Sequence, residues 1–223
     1  IDLETLRSRV LEMGGVVEAQ ILAAINGLMA GDLQALDNVI VDDHRVNALE
    51  VSIDTDCSHL IARRQPAAGD LRMVLAVIKI VTDLERIGDE AAKIARMGKQ
   101  GLSRARLPIT PLAAVRHVGD IAIRMLRKAL DALARLDPVA AAAIVREDFE
   151  IDEEFRSIVR QLITFMMEDP RTISQALEIV WIAKAIERIG DHSKNMAEQV
   201  IYIVKGTDVR HTSVEDLERE ALG

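Results

Sequence analysis

The chain has 223 residues, 49% of them hydrophobic but only 2% aromatic, and a formal net charge of −8. That apolar content is enough to bury a core and excludes overall disorder, while a wealth of Ala, Leu, Ile and Val with few aromatics suits helix packing better than a β-sandwich. The negative charge, with no dense Lys/Arg run, excludes a nucleic-acid partner. A lone cysteine, Cys57, excludes an internal disulfide, and no signal-peptide order is visible at the N-terminus, so a cytoplasmic location is expected. The longest apolar stretch, 179–186, is interrupted by Lys184 and falls short of the ~20 residues of a membrane span, so the protein is expected to be soluble.

In chain order, helical periodicity runs from Leu3 to about Ala30, where Gly31 and Asp32 supply a stop and then an N-cap. A second helix extends to about Arg64. The run Gln65-Pro66-Ala67-Ala68-Gly69-Asp70 breaks it, and Asp70 is expected to cap a third helix ending near Met97. Residues 99–110, rich in Gly, Pro, Ser and Thr, read as a linker between domains 1–98 and 111–205. The pattern then restarts, with a helix to about Leu136, a break at Asp137-Pro138, a helix to about Met167, a break at Asp169-Pro170 and a last helix to about Val204. The tail, 206–223, is weakly periodic and reads as either a short docking helix or a disordered end.

The second half copies the first. At an offset of 105, Gly14 meets Gly119, Asp32 meets Asp137 and Asp43 meets Asp148; at 102, Glu85-Arg86-Ile87-Gly88-Asp89 meets Glu187-Arg188-Ile189-Gly190-Asp191. The expected fold is therefore all-α, a tandem duplication of an antiparallel three-helix bundle with six long helices.

Glu85 continues the core stripe of Leu71 and Ile78, and Glu187 that of Ile173 and Val180; a four-residue step puts Asp89 and Asp191 on the same faces. Counting outward from each hairpin brings Asp43 and Asn47 level with the first pair, and Asp148 and Asp152 level with the second. Glu50 lies on the same stripe of the second helix, but Phe155 replaces it in the copy. Carboxylates crowded against a core repel one another unless a cation stands among them. A lone Glu-x-x-x-Asp is ordinarily a solvated, salt-bridged face, and Arg86 and Arg188 are available for that; repetition on a core stripe favours a cation. The candidate ligands are Glu85, Asp89, Asp43 and Asn47 in the first half and Glu187, Asp191, Asp148 and Asp152 in the second. Their oxygens suit a divalent metal or iron: Mg, Mn, Fe or Zn. Gly88 and Gly190 beside them either let backbones approach or make room for an ion; Gly14 and Gly119 fall near the same height.

Glu-Arg-Ile-Gly-Asp in both halves, Gly-Asp-His-Ser-Lys-Asn-Met-Ala-Glu at 190–198 and Val-Lys-Gly-Thr-Asp-Val-Arg-His at 204–211 together resemble the PhoU family over essentially the whole chain. The resemblance implies a cytoplasmic, non-enzymatic negative regulator of phosphate uptake and of the phosphate-starvation response. Such a protein would link the ATPase of the phosphate ABC transporter to a phosphate-sensing histidine kinase, reach the membrane only through those partners, and carry acidic metal sites in two three-helix bundles. The family's Glu/Asp-x-x-x-Asp motif falls on Glu85 and Asp89 and on Glu187 and Asp191. The second copy, with Asp152, His192 and Asn195 where the first has Asn47, Glu90 and Lys93, is expected to be the stronger site.

Other chemistry is poorly supported. No repeated Glu-x-x-His marks a ferritin-like di-iron centre, no Gly-rich loop marks an NTPase, and Cys57 lies on a core stripe. His44 and His192 lie near the acidic level, as surface or outer-sphere groups. Exposed faces and duplication point to self-association, a homodimer being expected without a legible interface. The different-class alternative is a helical metalloenzyme or metal-storage protein using the same carboxylates.

Overall fold

The computed structural model describes residues 2–104 and 109–223. Seven α-helices follow in order: α1 Leu3–Ala30, α2 Leu33–Arg64, α3 Ala68–Arg104, α4 Ile109–Arg135, α5 Pro138–Glu168, α6 Ile173–Lys205 and α7 Val214–Leu222. Their ends are set by local chemistry. Gly31 turns left-handed (φ +67°) and returns its N–H to the carbonyls of Gly27 and Leu28, after which Asp32 accepts the Ala35 N–H at 3.0 Å. In the second half Leu136 takes the same left-handed place (φ +51°), and Asp137 caps α5 through the N–H groups of Val139 and Ala140.

Two boundaries differ from expectation. α3 begins at Ala68, directly behind Pro66-Ala67, so Asp70 lies inside its first turn, where a negative charge favours the helix dipole. The segment expected to be a linker is helical at both ends, since α3 continues to Arg104 and α4 starts at Ile109; residues 105–108 lie outside the described residues. Gly98 does not break α3 but lets it approach α1, as a Cβ there would lie 2.8 Å from Leu28 Cδ1. The tail resolves to the docking helix: Ser213 caps α7, Leu217 and Ala221 are buried, and Arg146 on α5 donates two hydrogen bonds to Glu218 at 2.7 and 2.8 Å.

Each half is an antiparallel three-helix bundle, but the two share one apolar core reaching from Leu6 to Ala221. They are joined by the α3–α6 pair, the most extensive helix contact in the chain, and by α1–α4. Partners along α6 descend as those along α3 ascend. The Arg72 Nε donates to the Ile203 carbonyl (3.1 Å), Asp83 meets His192 (2.8 Å) and Glu90 meets Arg188 (2.8 Å), so the pair is antiparallel. α2 and α5 flank this central layer on their own halves.

α1 is long and apolar enough to cross a membrane by length and composition, a property hidden in its unbroken apolar runs because Glu18 interrupts the stretch. Half of that apolar window is buried inside the bundle against α2, α3 and α4, and Glu18 pairs with Arg127 of α4 at 2.7 Å, as befits a core helix.

The α1–α4 crossing is built on a reciprocal contact. A Cβ on Gly14 would lie 2.4 Å from Leu130 Cδ2, and one on Gly119 would lie 2.5 Å from Ile25 Cδ1. Positions 14 and 119, and 25 and 130, are equivalents at the repeat offset of 105, so each half offers the other a glycine and a large aliphatic, Ile25 or Leu130. These glycines therefore serve the junction of the halves rather than the acidic faces. A Cβ on Gly15, one residue along, would meet nothing within 4 Å. Gly15→Ala is expected to stabilise the protein by about 1 kcal/mol through helix propensity. Gly14→Ala should instead destabilise it by about 1 kcal/mol, overpacking outweighing that gain. Urea denaturation midpoints of the two variants must shift in opposite directions.

Candidate functional site

The first acidic face lies between α2 and α3 and is richer in carboxylate than the sequence pattern showed. Asp43 is buried and accepts a hydrogen bond from Gln20 Nε2 of α1 at 2.8 Å. A Cβ on Gly88 would come within 3.1 Å of Gln20 Oε1, 3.2 Å of Val46 and 3.5 Å of Asp43 Oδ1, so the missing side chain brings α1 and α2 close to α3 here. Burial, then the charges of Asp89, Glu50 and Asp43, raise the Glu85 carboxyl above its ordinary range against the opposing pull of Arg86. Glu50 is raised by burial and by Asp54 and Asp89, and Asp54 is raised by burial. Asp54 Oδ1 is buried with no hydrogen-bond partner. Asn47 is exposed on the outer side of α2 and joins none of these contacts. Glu50 and Asp54, spaced like Glu85 and Asp89, take the place expected of it; their four-residue step on a core-facing stripe was the signal that could have revealed Asp54.

The second face, between α5 and α6, resolves its charge with lysines. Lys184 Nζ lies 2.7 Å from Glu187 Oε1 and 2.6 Å from Oε2, and Lys194 Nζ pairs with Asp148. Burial raises the Glu187 carboxyl, Lys184 opposes, and Asp191 and Asp152 add to the rise. Burial disfavours the Lys194 ammonium, yet its bond to Asp148 and the charges of Asp191 and Glu198 hold it above the usual lysine range. At the repeat offset, Thr82 and Ala92 stand where Lys184 and Lys194 do, and Phe155 replaces Glu50 with Lys184 Nζ 5.3 Å from its ring centre. Gly190 answers packing, for a Cβ there would sit 2.9 Å from Ile151 Cδ1.

Two lysines thus offset part of the charge of the second face, where the first has Thr82 and Ala92. His192 and Asn195, counted toward the second face, turn away from it: His192 Nδ1–H donates to Asp83 Oδ1 at 2.8 Å and Asn195 Nδ2 reaches the same oxygen at 3.4 Å, both across the α3–α6 junction. His44 is exposed and bonds to the Val41 carbonyl of its own helix. Cys57 is buried, and burial followed by Asp54 pushes its thiol up to about 11, which leaves it inert as a nucleophile near neutrality. Among the described residues no three His, Cys, Asp or Glu side chains form a ready coordination shell.

The tail folds over the second face. Asp148, Asp152, Lys194 and Glu198 line a cavity of about 490 Å³ together with Arg210 and His211 of the tail. Burial raises the Glu198 carboxyl to about 7 despite Lys194 and Arg210.

A tandem pair of three-helix bundles with an acidic face at equivalent places in each defines a duplicated helix-bundle protein. The model of the PhoU domain matches residues 10–97 and again 115–200, and the chain belongs to the PhoU family. It is 49% identical over 222 residues to a phosphate-specific transport system accessory protein PhoU homolog from Burkholderia sp., covering 99% of this chain and 94% of the relative. The crystal structure of PhoU from Pseudomonas aeruginosa superposes with a TM-score of 0.88 at 45% identity, covering 92% of this chain and 98% of that one. That of the phosphate transport system regulatory protein PhoU from Streptococcus pneumoniae gives 0.86 at 26% identity, covering 93% and 97%.

Because Glu198 titrates at about 7 when folded and near 4.5 when unfolded, the native state binds the extra proton between those values. Its contribution to stability is therefore greatest at low pH and declines as pH rises from 4.5 to about 7. Glu198→Gln is expected to flatten that decline and to stabilise the protein above neutrality by about 1 kcal/mol, solvent screening having discounted the full shift. Denaturant midpoints of both proteins across this range check the prediction.

Proposed function

We propose that this chain is an accessory protein of phosphate transport that acts in the cytoplasm as a negative regulator of phosphate uptake and of the phosphate-starvation response. It does so by binding, through its helical faces, the ATPase subunit of the phosphate ABC transporter and the phosphate-sensing histidine kinase, as a homodimer and without catalytic chemistry of its own. The observation that carries this reading is the end-to-end match to relatives named as phosphate transport accessory and regulatory proteins. Pull-down of each purified partner by the full chain is the test, and persistent failure with both would overturn it.

A divalent metal or iron (Mg, Mn, Fe or Zn) is part of the proposal. The donors suit a hard cation, being carboxylate oxygens, with the Glu50 and Glu85 carboxyls held above their ordinary range by burial and acidic neighbours and Asp54 Oδ1 unpartnered. Glu85 and Asp89 would hold it on the first face, with Asp43 and Glu50 of α2 beside them. Glu187, Asp191, Asp148 and Asp152 would do so on the second, in competition with Lys184 and Lys194. The cation would neutralise crowded charge and stiffen the α2–α3 pair.

Mn²⁺ at about a hundred times its dissociation constant is expected to raise the melting temperature by about 5 °C or more near pH 7.5. The rise should shrink as pH is lowered, because protons compete with the metal for the raised carboxyls. Glu85→Gln/Asp89→Asn should abolish most of the rise and Glu187→Gln/Asp191→Asn much less; an unchanged response in the first variant would sink the assignment.

A further inference from the structure

Beside the first acidic face, a cavity of about 650 Å³ opens between α3 and α6, of a size ordinary for a small-ligand site. Arg86, Lys93 and Arg96 come from α3 and Arg188 reaches in from α6, against the carboxylates of Glu85, Asp89 and Glu90. Four cations against three anions make it locally positive in a chain of net charge −8. Internal pairing takes up two of the four cations. Buried Glu90 holds Arg188 at 2.8 Å and Lys93 at 3.6 Å, while Arg96 and Arg86 make no hydrogen bond or ion pair among the described residues.

Spacing limits what could satisfy them. Arg86, Lys93 and Arg96 follow one face of α3 over ten residues, ~15 Å of helix, which exceeds the reach of a single tetrahedral anion. A chain of linked phosphoryl groups matches that length, and guanidinium groups match its oxygens. The carboxylates add a second condition: Glu85 and Asp89 repel a bare polyanion but accept one that arrives with a divalent cation. No aromatic side chain lines the cavity, so a nucleobase would find nothing to stack on.

We propose that this cavity binds the divalent-cation complex of a short phosphoanhydride chain, with Arg86, Arg96, Arg188 and Lys93 on the phosphoryl oxygens and Glu85 and Asp89 on the cation side. The inference rests on the cation reading of the first face and deepens it. Cation and oligophosphate bind with positive coupling, each raising the affinity of the other by the same factor.

Calorimetric titration of the full chain with pyrophosphate, tripolyphosphate, ATP and orthophosphate, each with Mg²⁺ and each with EDTA, tests this. Tripolyphosphate and ATP are expected to bind within a few-fold of each other, both more tightly than orthophosphate, and to weaken about tenfold in EDTA. Arg96→Ala, an exposed site, should weaken tripolyphosphate about tenfold while leaving the circular dichroism spectrum and the Mn²⁺-induced thermal shift unchanged. If Mn²⁺ stabilises the protein but no oligophosphate binds with or without metal, this inference falls and the cation reading stands. Binding of equal strength in EDTA, or unaffected by both Arg96→Ala and Arg96→Glu, overturns it as well. A strong preference for ATP over tripolyphosphate would assign recognition to the base and overturn it too.

Discussion

Where α1 crosses α4, Gly14 admits Leu130 and Gly119 admits Ile25, and the rest of the molecule depends on that exchange. The contact is the same one made twice about an internal two-fold, as in an isologous dimer whose subunits have become one chain. It sets how near α1 and α4 lie, and the approach of α1 and α4 decides whether α3 and α6 meet along their length. With the four helices packed, α2 and α5 can lie only on the flanks, which puts both acidic faces on the outside of the central layer. Packing interiors tolerate little change in volume, so the geometry of the faces is inherited from two glycines remote from them.

Duplication then let the two faces diverge. The first keeps Glu50 and Asp54 beside Glu85 and Asp89, and burial followed by the neighbouring acidic charges holds the Glu50 and Glu85 carboxyls above the ordinary range. The second has exchanged Glu50 for Phe155 and gained Lys184 and Lys194, which pair with Glu187 and Asp148. Removing either lysine would leave a buried carboxylate exposed to the full cost of desolvation, whereas the first face meets that cost by proton uptake or by a cation. One architecture thereby carries one face with two lysine partners and one without them.

Much of this was legible in the sequence. The repeat, the all-helical class, the ends of α1 and α4 and the level of Asp43 against Glu85 all follow from local rules, because caps, turns and hairpin counting need only neighbours in the chain. What was not legible depends on long side chains and on the packing of one half upon the other. Lys184 and Lys194 lie within a turn or two of the acids, but their reach is decided by rotamers, not by spacing. His192 and Asn195 share the motif with Asp191 yet face the opposite way, toward Asp83, since the α3–α6 contact fixes which side of α6 is inward. Gly98 and Gly101 read as breakers in composition and are helical in fact, because a glycine that lets two helices close is indistinguishable in one dimension from a glycine that ends one.

The Asp83–His192 contact has a consequence for how such a chain could have arisen and why it stays whole. At the repeat offset the equivalents of Asp83 and His192 are Ala185 and Glu90. Two copies of the first half, paired as the halves pair here, would press buried Asp83 against buried Glu90; two copies of the second would set His192 against Ala185 and leave its ring without an acceptor. Each half has thus lost the complementarity to itself that an ancestral pair would have needed and has gained complementarity to its sibling. The fusion has become obligatory: the halves recognise each other and reject their own kind.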